Sequence, residues 1–189
     1  METIALFGGS FDPPHIGHLA VVEALKKLEF IDKVILMPTF LNPFKSSSHA
    51  DASLRLGWLE EIFGDDEDVI VSDFEVSQNE KTPTIKTLKH LLNHYKKVYI
   101  VIGADNLASL HKWHSYEQLK QLSEFLVASR DAIEIPEGFY TLGVCENISS
   151  SQLRAQMDEE KLIQKNAKKV AQFYKENNAK QNRKDNSST

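Results

Sequence analysis

Six short apolar runs recur along the 189 residues: TIALFG, KVILMP, VIVSDF, KVYIVIG, EFLVAS and FYTLGV. Runs of this length without polar alternation fit strands covered on both faces. Between them, HLAVVEALKKL, SLRLGWLEEIF, TIKTLKHLLNHY and the pair LASLHKW and YEQLKQL place apolar residues at helical spacing. Such alternation leaves few architectures. It predicts an α/β fold, a Rossmann-like doubly wound parallel sheet of about five to six strands with helices on both faces.

After the last strand, DEEKLIQKNAKKVAQFYKENN reads as one or two helices, with acids early and lysines late as the helix dipole prefers. This forms a C-terminal helical appendage. The following AKQNRKDNSST lacks an apolar anchor and is expected to be frayed or disordered. With no repeat and no Gly/Ser linker, the expectation is one domain over residues 1–178 and a flexible tail over 179–189.

The balance of 41% hydrophobic and 26% charged residues suits a soluble globular chain, and no apolar run approaches the roughly 20 residues of a membrane span. The N-terminus enters an apolar run at once without a basic leader, so the expected location is cytoplasmic. A net charge of −5 argues against a broad basic surface, hence against a nucleic-acid partner, and the lack of a spanning apolar run against a membrane one. It leaves room for a small anion bound in one cleft. Cys145 is the single cysteine, which excludes an internal disulfide, and its apolar flanks suggest a core thiol. GDDEDV reads as a solvated acidic loop, since consecutive acids lack the spacing of a metal-binding loop.

The densest chemistry lies in FGGSFDPPHIGH, residues 7–18. Gly8 and Gly9 end a strand in a turn that lets backbone N–H groups approach a ligand. Pro13 and Pro14 keep the chain extended, so the helix is expected to start near Ile16 to His18. His15 then precedes the helix and His18 lies in its first turn, beside the unpaired N–H groups there. That combination is an anion site with two added donors. A plain strand-turn-helix link with two surface histidines is the competing reading. The stretch is not the G-x-G-x-x-G fingerprint, no G-x-x-x-x-G-K-[ST] loop occurs in the chain, and no third ligand completes a zinc site.

Three further segments carry weaker signals. In ISSSQLR the hydroxyls cap a helix, and Ser150, Ser151 and Arg154 can direct donors toward one anion; alternatively this is an ordinary serine cap beside an exposed arginine. Asp105 follows the strand KVYIVIG, where a carboxylate accepts hydrogen bonds from a ribose or caps a helix. Trp113 offers a flat face for an aromatic ligand, or is simply core.

Taken together these segments resemble a known family. GGSFDPPHIGH resembles the G-[GT]-[FS]-F-D-P-x-H-x-G-H signature of the nucleotidyltransferase superfamily that carries the HxGH motif. VIGADNLASLHKWHSYEQL is similar to the G-x-D-x-L and W-x-x-x-x-x-L block of bacterial nicotinate mononucleotide adenylyltransferases, with Gly103, Asp105 and Trp113 in register. ISSSQLR resembles their I-S-S-T-x-I-R motif, with Ser151 for Thr and Leu153 for Ile. The likeness spans residues 4–154. Departures are Phe44 where a histidine is usual, Pro83 at an aromatic position within TPTIKTL, Lys86 in the same stretch, and Arg130-Asp131 in place of Arg-Pro.

The resemblance implies transfer of AMP from ATP to nicotinate mononucleotide, giving nicotinate adenine dinucleotide and pyrophosphate, with Mg²⁺ accompanying ATP and no metal ligand from the protein. It implies that His15 and His18 bind the triphosphate and stabilise charge as the α-phosphate is attacked. Gly8, Gly9, Ser10, Phe11, Gly103, Asp105, Ser150, Ser151 and Arg154 would complete the ATP site. Lys45, Thr84, Asp105, Trp113 and His114 would receive the mononucleotide, and Arg130 would lie near ATP. A sibling adenylyl- or cytidylyltransferase, such as phosphopantetheine adenylyltransferase, and a non-catalytic nucleotide-binding sensor stay open at this stage. So do acid against amide preference and the oligomeric state.

Overall fold

The computed structural model describes residues 1–129, 133–144 and 148–187, with side chains through Lys180. Arg130 and Cys145 therefore lie outside the described residues. Six strands form one parallel sheet in the order β3-β2-β1-β4-β5-β6. They are β1 (Thr3–Gly9), β2 (Lys33–Pro38), β3 (Val69–Val71), β4 (Lys97–Gly103), β5 (Glu124–Ala128) and β6 (Tyr140–Leu142). The helices between them are α1 (Ile16–Lys26), α2 (Ala52–Phe63), α3 (Phe74–Ser77), α4 (Thr84–Leu92), α5 (Leu107–Leu110) and α6 (Tyr116–Leu122), followed by α7 (Ser150–Ala155) and α8 (Ala167–Ser187).

Residues alternate between two cores, as the strand period of two requires. Ala5, Phe7, Val34, Leu36, Tyr99, Val101, Leu126 and Ala128 face the layer holding α1 and α2. Ile4, Leu6, Ile35, Met37, Val98, Ile100, Phe125 and Val127 face the layer holding α4, α5 and α6. Both faces are covered, which is why the runs read as apolar throughout. A third cluster joins Trp58 of α2, Leu153 of α7 and Val170, Ala171 and Tyr174 of α8. The appendage is thus packed onto the domain. Helix α8 continues to Ser187, past Ala179 where the apolar anchors end.

One element differs from the reading of VIVSDF as a strand. The strand stops at Val71, Ser72 N–H donates to the Leu36 carbonyl, and a single helical turn begins at Phe74. The acidic loop is largely exposed and carries surface ion pairs: Lys26 with Asp66 at 2.6 Å, Lys165 with Asp65 at 2.7 Å and Lys33 with Asp68 at 3.6 Å. It pins α1 and the segment before α8 to the end of α2. Among the described residues no helix is long and apolar enough to cross a membrane.

The strand order reverses direction between β1 and β4, the topological switch point at which open α/β sheets bind ligands. The register shows how the opening arises. The β1–β4 ladder ends at Phe7 and Val101, after which Gly8 and Gly9 stay with Met37 and Pro38 of β2 while Ile102 and Gly103 stay with Val127 and Ala128 of β5. The two middle strands part at their carboxyl ends.

Candidate functional site

A cleft of about 440 Å³ occupies that parting. Gly8, Gly9, His15, Gly17 and His18 at the end of β1 and start of α1 line it, as do Gly103, Asp105, Trp113 and His114 after β4, and Lys45, Thr84, Ser150 and Ser151 also border it. Of the sixteen residues to which the resemblance gives a role, twelve border this one cleft; Ser10, Phe11 and Arg154 do not, and Arg130 lies outside the described residues.

The glycines are explained by room. A Cβ at Gly8 would meet nothing closer than 3.9 Å, so this exposed backbone is open to a ligand. A Cβ at Gly9 would come within 3.3 Å of the Phe11 ring, and one at Gly103 within 2.5 Å of Asp105 Oδ1. Asp105 is therefore folded back against Gly103, inside the short 3₁₀ turn Ala104–Asn106 rather than capping it; the cap position is Gly103.

His15 is the N-cap of α1 and His18 its third residue, as the two prolines dictate. Their rings stack with centroids 3.7 Å apart. His18 Nδ1 accepts from the His15 backbone N–H at 3.2 Å, so a neutral His18 carries its proton on Nε2. The pair is thereby held with a defined donor edge. His15 is buried at 4% exposure while His18 is half-buried, and Gly17 between them is part of the wall, bringing the helix terminus itself to the cleft. An anion placed there meets imidazole donors and the positive end of α1 together.

Ser10, Phe11 and Arg154 are placed differently from the expectation that they border ATP. Phe11 is 1% exposed and in positive φ; it packs edge-on against Phe7 at 5.4 Å and against His18 at 4.8 Å, so it backs the histidine instead of facing a ligand. Ser10 offers its carbonyl to Arg55 Nη1 at 2.6 Å. Arg154 Nη1 donates to the Asp12 carbonyl and Nη2 to Ser151 Oγ, which turns the guanidinium onto the loop preceding His15. Ser150 Oγ donates to the Pro13 carbonyl at 3.1 Å, and the cap of α7 is Ser149, whose Oγ accepts from the Gln152 N–H. Helix α7 is thus hydrogen-bonded directly to the histidine loop.

On the other side, Thr84 is the first residue of α4 and Pro83 its N-cap. Pro83 suits an extended cap, so its presence at an aromatic position leaves the helix start intact. Phe44 is 64% exposed at the cleft mouth, and Lys81 Nζ anchors its loop by donating to the Lys45 carbonyl at 2.7 Å. Lys86 pairs with Glu80 at 3.0 Å on the surface, away from the cleft-lining residues. Trp113 Nε1 and Thr39 Oγ1 are buried in the wall with no hydrogen-bond partner among the described residues. Each is a polar atom for which a ligand would supply a partner.

Sequence reasoning missed Glu75, a cleft-lining carboxyl only 6% exposed. Burial pushes its pKa up to about 7, against the opposing pull of the hydrogen bond donated by Thr87 Oγ1 at 2.6 Å. Arg55, fully buried, was missed as well. It donates to the carbonyls of Ala50, Ser10, Thr39 and Phe40, and burial lowers its pKa from the ordinary value. A signal existed for Arg55: it falls on the same α2 face as Ala52, Trp58, Leu59 and Phe63, an apolar stripe interrupted by one charge. Among the described residues no group of three or more His, Cys, Asp or Glu is arranged to hold a metal ion.

Comparisons with known proteins converge on one family. A family profile described as cytidylyltransferase-like matches residues 6–156. A probable nicotinate-nucleotide adenylyltransferase of Sulfurimonas denitrificans is 61% identical over 180 residues, 95% of this chain and 99% of that protein. One from Nitratiruptor is 46% identical over 91% of this chain and 98% of its own length. Among solved structures, the nicotinic acid mononucleotide adenylyltransferase of Plasmodium falciparum complexed with NaAD aligns with a TM-score of 0.73 at 23% identity, covering 94% of this chain and 97% of that one. At that identity the likeness is one of fold.

Proposed function

The chain belongs to the cytidylyltransferase-like family, and from that premise we propose that it transfers the adenylyl group of ATP to the 5′-phosphate of nicotinate mononucleotide. The products are nicotinate adenine dinucleotide and pyrophosphate, a step of NAD biosynthesis carried out in the cytoplasm. The observation that carries this reading is a single cleft joining the α1 terminus, with its two imidazoles, to the α4 terminus and the Trp113 ring. One end suits a polyphosphate; the other suits an aromatic ring bearing a carboxylate. The relatives named for the same activity support it.

In this reading a phosphate oxygen of the mononucleotide attacks the α-phosphorus of ATP, a P–O bond forms, and the bond from the α-phosphorus to the bridging oxygen of pyrophosphate breaks. The nucleophile is already anionic, so the chain supplies no covalent residue. Its contribution is alignment and charge stabilisation. His15, His18 and the first turn of α1 hold the triphosphate, and Gly8 and Gly9 let it approach. Ser150, Ser151 and Arg154 take the departing pyrophosphate, for which Arg154 exchanges its bond to the Asp12 carbonyl for one to phosphate. Thr84 and the terminus of α4 favour the nicotinate carboxylate over an uncharged amide. Trp113 stacks on the pyridine, and Lys45, Asp105 and His114 border the ribose phosphate.

The donor set fits a polyphosphate that brings its own cation: the polar groups of the wall include hydroxyls, imidazoles, Lys45 and two helix termini, with only Glu75 and Asp105 as carboxyls. The chemistry that Mg²⁺ would supply, when bound with ATP, is neutralisation of phosphate charge. The test is pyrophosphate release with ATP and each of three acceptors. Nicotinate mononucleotide should turn over with kcat/KM about three- to tenfold above nicotinamide mononucleotide, the discrimination one partly buried helix terminus provides, and phosphopantetheine should give none. ATP binding without pyrophosphate release from any acceptor, as in a sensor, would sink the reading.

A further inference from the structure

Helix α8 contributes no residue to the cleft wall among the described residues, yet it is bonded to both sides of the proposed phosphate site. Tyr174, 1% exposed, donates its hydroxyl to Asp12 Oδ1 at 2.5 Å across 162 residues of sequence. Asp12, 2% exposed, also accepts from the backbone N–H groups of His49 at 2.9 Å and Ala50 at 3.1 Å. Only Pro13 and Pro14 separate it from His15, and their fixed φ passes its position on to the histidine. One turn further along α8, Asn178 Nδ2 donates to the Arg154 carbonyl at 3.0 Å. Leu153 of α7 packs in the same cluster as Val170, Ala171 and Tyr174. Positions 174 and 178 share a helix face, so one rigid element reaches the histidine loop and α7 at once.

We propose that α8 is a clasp that sets the spacing between the histidine loop and α7, with Tyr174 as the positioning residue that acts on His15 and His18 through Asp12. The inference rests on the reading of the cleft as an adenylyl-transfer site. Burial and the neighbouring Asp12 hold the phenol far above the ordinary tyrosine range, so it stays a donor throughout the working pH range. In-line transfer is sensitive to misplacement of about 1 Å, so loss of the clasp is felt in turnover before binding.

Tyr174→Phe removes the hydroxyl and keeps the ring in its apolar cluster. It is expected to lower kcat by about tenfold while leaving KM for nicotinate mononucleotide within about twofold, since Thr84 and Trp113 lie on elements α8 does not hold. Val170→Ala loosens the same cluster without touching Asp12 and is expected to lower the melting temperature while preserving kcat. Asn178→Ala, at an exposed position compatible with folding, is expected to lower kcat by about two- to threefold. Unchanged kcat in both Tyr174→Phe and Asn178→Ala overturns the clasp, as does an equal loss of kcat in Val170→Ala. Hydrogen exchange at the His49 and Ala50 amides reads the lock without turnover and should quicken in Tyr174→Phe but not in Val170→Ala. A wild-type chain that releases no pyrophosphate indicts the assigned reaction; unaltered exchange in Tyr174→Phe indicts the clasp.

Discussion

At the scale of single residues, the site is built from groups whose surroundings define one task each. His18 is fixed by its Nδ1 contact with the His15 N–H and by Phe11 behind it, which leaves Nε2 as its donor. His18→Ala removes a half-buried ring from the first turn of α1, so the chain should melt within a few degrees of wild type. Its kcat/KM for adenylyl transfer should fall by about tenfold or more, the usual cost of one preorganised donor; an unchanged value would remove His18 from the chemistry. Glu75 makes a prediction of opposite kind, about stability. Its pKa is raised from 4.5 to about 7 by burial, so the folded chain binds this proton more tightly than the unfolded chain. Stability must then fall as pH rises from about 4.5 through about 7, by roughly 3 kcal/mol for a shift of this size. Glu75→Gln keeps an acceptor for Thr87 and cannot ionise. Thermal melts between pH 5 and pH 8 should show a flatter profile in this variant than in wild type, and parallel profiles would contradict the buried neutral carboxyl.

At the scale of elements, what the sequence makes legible is what is local. The apolar runs, the late start of α1 after two prolines and the hydroxyl-capped α7 each depend on neighbours within a few residues, and each is where its pattern places it except the second half of VIVSDF. Helix α3 was not legible, because four residues following a three-residue strand carry no period of their own and are held by packing on β2 and α2. Glu75 on that helix, and the Asp12–Tyr174 bond, escape for the same reason: burial of a carboxyl is a tertiary event that leaves no mark on flanking sequence. Helix α4 illustrates what an element does beyond its side chains. Thr84 at its first position offers an N–H with no intrahelical partner, the donor assigned to the nicotinate carboxylate. Proline is tolerated at the first helical position and lacks that N–H, so Thr84→Pro should preserve the fold and raise KM for nicotinate mononucleotide by about three- to tenfold. Thr84→Val, which keeps the N–H and loses only the hydroxyl, should raise it less. Equal effects in steady-state assays would assign the binding to the hydroxyl and not to the helix terminus.

For the whole molecule, three cores of unequal size hold the fold, and the smallest joins α2 and α7 to a helix that adds no residue to the cleft wall among the described residues. The two large cores flank the sheet and contain no residue of α8; in the third, Val170, Ala171 and Tyr174 of α8 pack with Trp58 and Leu153. We propose that the domain boundary follows burial and not the end of the helix. Residues 175–180 are exposed or half-buried, and the last hydrogen bond from this stretch to the body of the chain comes from Asn178. Deleting residues 179–189 should leave melting temperature and kcat as they are, although α8 itself runs on to Ser187. Ending the chain after Lys169 should instead uncover Trp58 and Leu153 and strip a fully buried valine and tyrosine from their cluster. At roughly 1.5–3 kcal/mol for each large side chain removed from burial, that loss approaches a large share of the 5–15 kcal/mol stability of an ordinary domain. Melting curves and pyrophosphate release on the two truncations separate the possibilities. Destabilisation by the short deletion would move the boundary beyond Asn178, and full activity in the long one would show that the histidine loop and α7 keep their spacing without α8.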